Sequence, residues 1–367
     1  MTKEQKISQT IQSFETTFPD QKADEFDYKI EGSGLPIRFK VTDKCQWQCS
    51  FCHNEGNMFT SDVKWTPKLE QVIKSLQKVL GSQEIHFTGG EPTASKYLEQ
   101  ITAGLASLGL EVKTTTNGQF SKRTLKELIA AGLSSFNFSV HSLDPERFLR
   151  FQTGRGSKWQ DREKRNKDDQ LNLQDSHVLS KNKQGRLEWA RKNISIQLEN
   201  IVEAKKQGAD VKINSVICNE NDISNARDIL TWARENDIPF RLLNDLGNGM
   251  TSVNAIRKFI QDTGAKEVFR KVHNGSSSCS TVYRLPDGYE FAFKQIRDFK
   301  LESLCQKCPR LKNGTCEEQF YGVRLQEVDG EMYVILCIQE LNNNTMMTVA
   351  EFLESPQLKE IQSYLQE

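Results

Sequence analysis

Cys45, Cys49 and Cys52 lie close together in the stretch TDKCQWQCSFCHNEG, a C-x3-C-x2-C spacing. A loop this short can bring three thiolates to one face of a cubane iron–sulfur cluster. Such clusters ordinarily take four cysteines, so a compact set of three leaves one iron open to another ligand. Zinc is the alternative, and a structural zinc site calls for a fourth ligand nearby. His53 follows Cys52 directly and cannot turn back to supply it. A second set, Cys305, Cys308, Cys316 and Cys337, follows the pattern C-x2-C-x7-C-x20-C. Its four thiols suit a fully ligated cluster, with structural zinc again the alternative. Cys218 and Cys279 stand apart from both sets and read as buried thiols.

A further candidate is Gly89-Gly90-Glu91-Pro92, at the end of a short apolar run. Glycines at a strand end let the backbone approach a ligand closely, and the carbonyls there can accept hydrogen bonds from an ammonium. Alone, this tetrapeptide reads as a turn. Its place after the cysteine triplet, at the end of the next strand, makes the pair informative.

The elements that must position these residues alternate. Strands are expected at 37–42, 85–88, 111–116, 136–140, 211–217 and 239–243. Helices are expected at 67–80, from about 96, after the capping Ser121, at 194–206 and at 223–236. Repeated βα units imply a parallel sheet with helices outside it. Six units predict an α/β fold of the partial (β/α)6 TIM-barrel kind, although an open doubly wound sheet would give the same string. In both, functional loops lie beyond the C-terminal ends of the strands, where the cysteine triplet and residues 89–92 fall.

The expected organisation is an N-terminal extension at 1–34, a barrel at 35–249 and a C-terminal cysteine-rich auxiliary-cluster module at 250–367. Within the barrel, residues 155–190 are rich in charge, Asn and Gln and read as a solvated insert. The tail module carries short strands near 289–293, 322–326 and 332–336.

Acidic and basic side chains number 49 each. That balance gives no electrostatic footing for nucleic acid or an anionic membrane surface. No apolar run approaches the ~20 residues that span a bilayer, and the first residues have no signal-peptide core. A cytoplasmic protein is the expectation, and nine cysteines in that compartment favour metal sites over disulfides.

The C-x3-C-x2-C with Phe51 before its third cysteine, followed by Gly-Gly-Glu-Pro at 89–92, resembles the signature of the radical SAM superfamily. The resemblance implies a [4Fe–4S] cluster on Cys45, Cys49 and Cys52 whose open iron binds S-adenosylmethionine (SAM). It also implies reductive cleavage of SAM to a 5′-deoxyadenosyl radical, and an electron donor such as flavodoxin or ferredoxin. The runs Thr115-Thr116-Asn117-Gly118, Asn137-Phe138-Ser139-Val140, Leu143-Asp144-Pro145-Glu146, Thr153-Gly154, Val211-Lys212-Ile213-Asn214 and Phe240-Arg241-Leu242-Leu243 resemble one subgroup, the GTP 3′,8-cyclases of molybdenum cofactor biosynthesis. By that resemblance Gly89, Gly90, Glu91, Pro92, Thr116, Ser139 and Arg241 contact SAM, and Arg38, Lys212 and Arg324 face the substrate.

The same resemblance implies a second, auxiliary [4Fe–4S] cluster in the tail. The cyclases hold theirs on three cysteines, whereas this chain offers Cys316 as a fourth and spaces Cys308 and Cys337 widely. The cyclases end in Gly-Gly, where this chain reads Ser-Tyr-Leu-Gln-Glu. The expectation is therefore a biosynthetic radical SAM enzyme acting on a small molecule or peptide, with GTP 3′,8-cyclase as the second reading. A non-catalytic iron–sulfur or zinc protein is the alternative from another class, and it would have no need of the 89–92 loop.

Overall fold

The computed structural model describes residues 27–31, 34–52, 62–154, 183–316 and 318–366. Residues 155–182 of the expected insert, His53 and most of the N-terminal extension lie outside them. The strands are β1 (Asp27–Glu31), β2 (Ile37–Lys40), β3 (Trp47–Cys49), β4 (Glu84–Thr88), β5 (Glu111–Thr116), β6 (Leu133–Ser139), β7 (Gln152–Gly154), β8 (Asp210–Ile217), β9 (Phe240–Asn244), β10 (Lys266–His273), β11 (Ser278–Arg284), β12 (Glu290–Ile296), β13 (Val323–Val328), β14 (Glu331–Ile335) and β15 (Met346–Thr348). The helices needed below are α1 (Pro67–Leu80), α2 (Leu98–Ser107), α3 (Lys122–Ala130), α4 (Pro145–Phe151), α5 (Lys183–Lys206), α6 (Ile223–Glu235), α7 (Gly249–Thr263), α8 (Glu302–Cys305) and α9 (Pro309–Lys312).

Local chemistry sets the crossover helices. Thr66 accepts from the Leu69 amide to cap α1, Pro67 supplies its first turn, and Gly81 ends it in the left-handed region. Leu69, Ile73, Leu76 and Leu80 then form the buried face. Ser121 accepts from the Thr124 amide and caps α3 as expected. The six expected strands are β2, β4, β5, β6, β8 and β9, all parallel and adjacent in that order within a sheet that does not close. The partial barrel is borne out.

One feature differs from the sequence expectation. Residues 183–190, assigned to the solvated insert, are the first turns of α5. Leu187 and Ala190 are buried there, spaced too sparsely among charged residues to stand out in the sequence. The tail strands do not form a sheet of their own. β12 pairs in parallel with β9, and β11, β10 and β1 extend that edge. β13 pairs in parallel with β2 at the other edge, followed by β14 and β15.

Barrel and tail residues therefore share one apolar core, in which Phe39, Phe87 and Phe138 join Phe293, Leu325 and Val334. No helix among the described residues is long and apolar enough to cross a membrane. Shared packing predicts that Leu325→Ala, in a tail strand, destabilises the whole molecule. The expected loss is about 2–5 kcal/mol, seen in denaturant unfolding of the apo chain as one transition shifted as a unit.

Candidate functional site

The cysteine triplet sits where β2 hands the chain to a loop above the sheet. That loop is tied down along its length. The Gly90 amide donates to the Thr42 carbonyl at 2.8 Å, and the Glu91 amide to the Lys44 carbonyl at 2.7 Å. Such contact requires glycine at both positions. A Cβ on Gly89 would fall 2.3 Å from the Thr42 oxygen, and one on Gly90 2.5 Å from the Lys44 oxygen. Gly89 also has φ +136°, a conformation L side chains rarely adopt. The glycines thus seat the cysteine loop.

Beyond Cys45, the segment Trp47–Cys49 forms β3 and pairs with β7, placing Cys49 opposite Gln152. The Ser50 amide donates to the Phe151 carbonyl at 3.0 Å. Phe51 packs edge-on against His141 with centroids 4.5 Å apart, and Trp47 against Phe148 at 5.3 Å. The Trp47 amide donates to the Cys45 sulfur at 3.4 Å, a contact of the kind that tunes cluster thiolates. All three thiols are partly exposed.

Glu91 is 1 % exposed, and its carboxylate faces protein donors. Oε1 accepts from the Thr93 amide and hydroxyl and from the Thr116 hydroxyl, and Oε2 from the Asn117 amide at 2.6 Å. Burial pushes its carboxyl up, against the opposing pull of these bonds. The Thr116 hydroxyl in turn accepts from the Gly118 amide at 3.0 Å. Glu91 and Thr116, expected to contact SAM, therefore join the tips of β4 and β5 to each other. Both side chains hold the site's frame.

Ser139 and Arg241 do come together. Across β6, β8 and β9 the register places Ser139 beside Asn214 and Asn214 beside Arg241. Arg241 Nε donates to Asn214 Oδ1 at 2.9 Å. Lys212 lies one pleat repeat down the same face of β8, beside Asn137.

Arg38 and Arg324 are also neighbours, paired in register between β2 and β13. Between the two edges of the sheet stands Tyr321, which sequence reasoning missed. Arg38 and Arg324 lie 5.6 Å from its ring centroid and Lys294 5.2 Å. Burial alone would raise its phenol, but Lys294, Arg38 and Arg241 pull it down to about 8. A cavity of ≈ 570 Å³ on this side of the sheet is lined by Lys212, Arg241, Lys271 and Lys294, with Asp237 and Glu290 as its acidic members. More than half of that lining comes from β10, β11 and β12, strands whose role could not be read before their pairing was known.

The tail thiols occupy short elements. Cys305 ends α8, Cys308 precedes α9, Cys316 follows a left-handed turn at Gly314, and Cys337 follows β14. Burial pushes the Cys305 thiol up to about 11, with Cys316, Cys337 and Cys308 adding to the shift. The Gln319 amide donates to the Cys316 sulfur at 3.4 Å. Glu318 links this loop to the barrel through a buried ion pair with Arg324 and by accepting from the Ile338 amide at 3.3 Å. No three His, Cys, Asp or Glu side chains among the described residues close tightly enough to hold a single metal ion. A cubane cluster spaces its thiolates more widely than one ion does. Cys218 and Cys279 are buried thiols, as expected.

Residues 39–167 match the radical SAM superfamily. Among curated proteins, the chain is 26 % identical over 303 residues to the GTP 3′,8-cyclase of Nautilia profundicola, covering 79 % of each. It is 34 % identical over 114 residues to a probable GTP 3′,8-cyclase of Thermococcus kodakarensis, covering 31 % of this chain and 37 % of that protein. The chain thus spans little more than a third of the length of that relative. Among solved structures, Streptococcus suis SuiB bound to S-adenosylmethionine superposes with a TM-score of 0.52 at 15 % identity, covering 90 % of this chain and 68 % of SuiB. At that identity the likeness concerns the fold.

His141 generates a pH prediction. It is buried, its Nδ1 accepts from the Val216 amide at 3.1 Å, and burial lowers its imidazolium to about 3. A group whose folded pKa is depressed contributes stability above its unfolded value, lost as pH falls toward the folded one. The apo chain should lose about 1.4 kcal/mol per pH unit below the unfolded His value of ~6.5 relative to His141→Gln. Urea titrations of both proteins between pH 7 and pH 5 measure this difference.

Proposed function

We propose that this radical SAM protein abstracts hydrogen from an anionic small molecule held against the cationic inner face of its partial barrel. The observation that carries the reading is the seating of the three-thiol loop on the Gly-Gly-Glu-Pro loop through the Gly90 and Glu91 amides. This leaves a three-cysteine site beside strand-end backbone able to receive an ammonium. When bound, a [4Fe–4S] cluster with SAM supplies one-electron cleavage and a 5′-deoxyadenosyl radical.

The chain's residues do the rest. Cys45, Cys49 and Cys52 hold the cluster, the residues 89–92 backbone receives the SAM amino group, and Arg241, oriented by Asn214, receives its carboxylate. Lys212, Lys271 and Lys294 hold the substrate's negative charge, with Arg38 and Tyr321 beside them. Cys305, Cys308, Cys316 and Cys337 hold an auxiliary [4Fe–4S] cluster, which an external donor such as flavodoxin or ferredoxin can supply with electrons. A fourth cysteine closes that cluster, assigning it to electron transfer or structure.

The second reading is GTP 3′,8-cyclase. It is favoured by the named relatives and by the density of cations, and the extra Cys316 weighs against it.

Anaerobic reconstitution should load about eight irons, two cubanes' worth. Dithionite and SAM should then yield 5′-deoxyadenosine, detected by chromatography, and Cys45→Ala should abolish it. A fully loaded protein that leaves SAM intact would falsify the enzyme reading. Cys316→Ala should lower the iron count or change the auxiliary cluster's electronic spectrum, and an unchanged site removes the four-cysteine assignment. Product from GTP decides for the cyclase. With a substrate in hand, Lys294→Ala should raise KM about tenfold, the ~1.4 kcal/mol of one charge-assisted contact.

A further inference from the structure

A polar seam runs along the buried face of α5, at Asn193, Gln197 and Asn200. These residues are 9 %, 1 % and 2 % exposed, and they recur at the spacing of one helix face. Amides are poor occupants of a buried helix stripe unless every polar group is answered. Here they are answered by the loops at the strand tips.

Gln197 Nε2 donates to the Asn117 carbonyl and to the Ser139 carbonyl, both at 2.8 Å. A single side chain thereby spans the ends of β5 and β6. Asn200 Nδ2 donates to the Gly118 carbonyl at 2.9 Å and to the Phe120 carbonyl at 2.8 Å. Asn193 reaches the cysteine loop: its Oδ1 accepts from the Trp47 indole at 3.2 Å, and its carbonyl accepts from Gln119 Nε2 at 2.9 Å. The Asn193 amide nitrogen is bound to the Trp189 carbonyl at 2.7 Å, which orients its oxygen toward Trp47. Gln46, next to Cys45, completes the circuit by accepting from Asn117 Nδ2 at 3.1 Å.

We infer that Gln197 and Asn193 are positioning residues for SAM. Gln197 sets the spacing between the Asn117 and Ser139 main chains, and Asn193 sets the orientation of Trp47 between the first two cluster thiolates. An apolar side chain of equal size would bury as well, but it would leave carbonyls unanswered at both strand tips. The inference rests on the radical SAM reading of the site and adds to it which outer residues fix the geometry.

The test compares the wild type with Gln197→Met and Asn193→Leu, each reconstituted anaerobically in the full chain. SAM affinity is measured by equilibrium binding, and the electron paramagnetic resonance spectrum of the reduced cluster is recorded with and without SAM. The variants should load wild-type iron. Their SAM affinity should fall about tenfold, the scale of one or two lost hydrogen bonds at ~1 kcal/mol each, and the SAM-induced spectral change should be altered. Gln197→Glu, which puts an acceptor oxygen where Nε2 donates to two carbonyls, should lower SAM affinity at least as far as Gln197→Met.

A wild type that loads iron yet shows no SAM-dependent spectrum sinks the underlying reading, whatever the variants do. A responsive wild type with variants of unchanged affinity and spectrum overturns the positioning role alone. Should Gln197→Met fail to fold, Asn193→Leu decides by the same two readouts, since it alters the contact to Trp47 and leaves the strand-tip bridge in place.

Discussion

The site depends on a buried carboxylate. Glu91 has almost no access to water, so its oxygens must be satisfied by protein donors or incur the cost of an unanswered charge. Thr93, Thr116 and the Asn117 amide satisfy it only if the tips of β4 and β5 stand at one separation. The same turn offers the Gly90 and Glu91 amides to the backbone that leads into Cys45. Three consecutive strand ends are thus fixed by one short segment. This explains why a Gly-Gly-Glu-Pro run can hold the cysteine loop in place even though its acidic side chain faces protein.

Much of this was legible in the sequence, for identifiable reasons. Apolar periodicity named the six barrel strands because each is buried on the helix-facing side, as with Phe136 and Phe138. Apolar spacing named α1, and the capping Ser121 named α3. The cysteines announced themselves by spacing. Less legible was the direction of a side chain at a strand tip. Glu91 and Thr116 carry polar groups suited to a ligand, and only the pleat shows that Thr116 lies level with Phe138, beside which the inward-facing Asn137 and Ser139 alternate. The amide seam of α5 escaped because Asn and Gln on a helix ordinarily mark solvent. Tyr321 and Lys294 escaped because their meeting depends on which strands of the tail join which edge.

That joining gives the inner face its charge. β12 brings Lys294 beside Leu243 of β9, and β13 brings Arg324 beside Arg38 of β2. Tyr321, on the approach to β13, then lies among cations from both flanks. Glu318 ties Arg324 to the loop of Cys316. The barrel wall and the tail cysteines are connected through these few side chains.

The pairing of β13 with β2 also bears on how the molecule is made. During synthesis β2, with Phe39 at its centre, emerges early and can pair with β4, while its other edge stays open until β13 has left the ribosome. An unpaired parallel edge with apolar neighbours invites association with other chains, and contacts so distant in sequence form slowly. The nascent protein must therefore pass through a stage with one edge of its barrel sheet still waiting for a strand made near the end of synthesis.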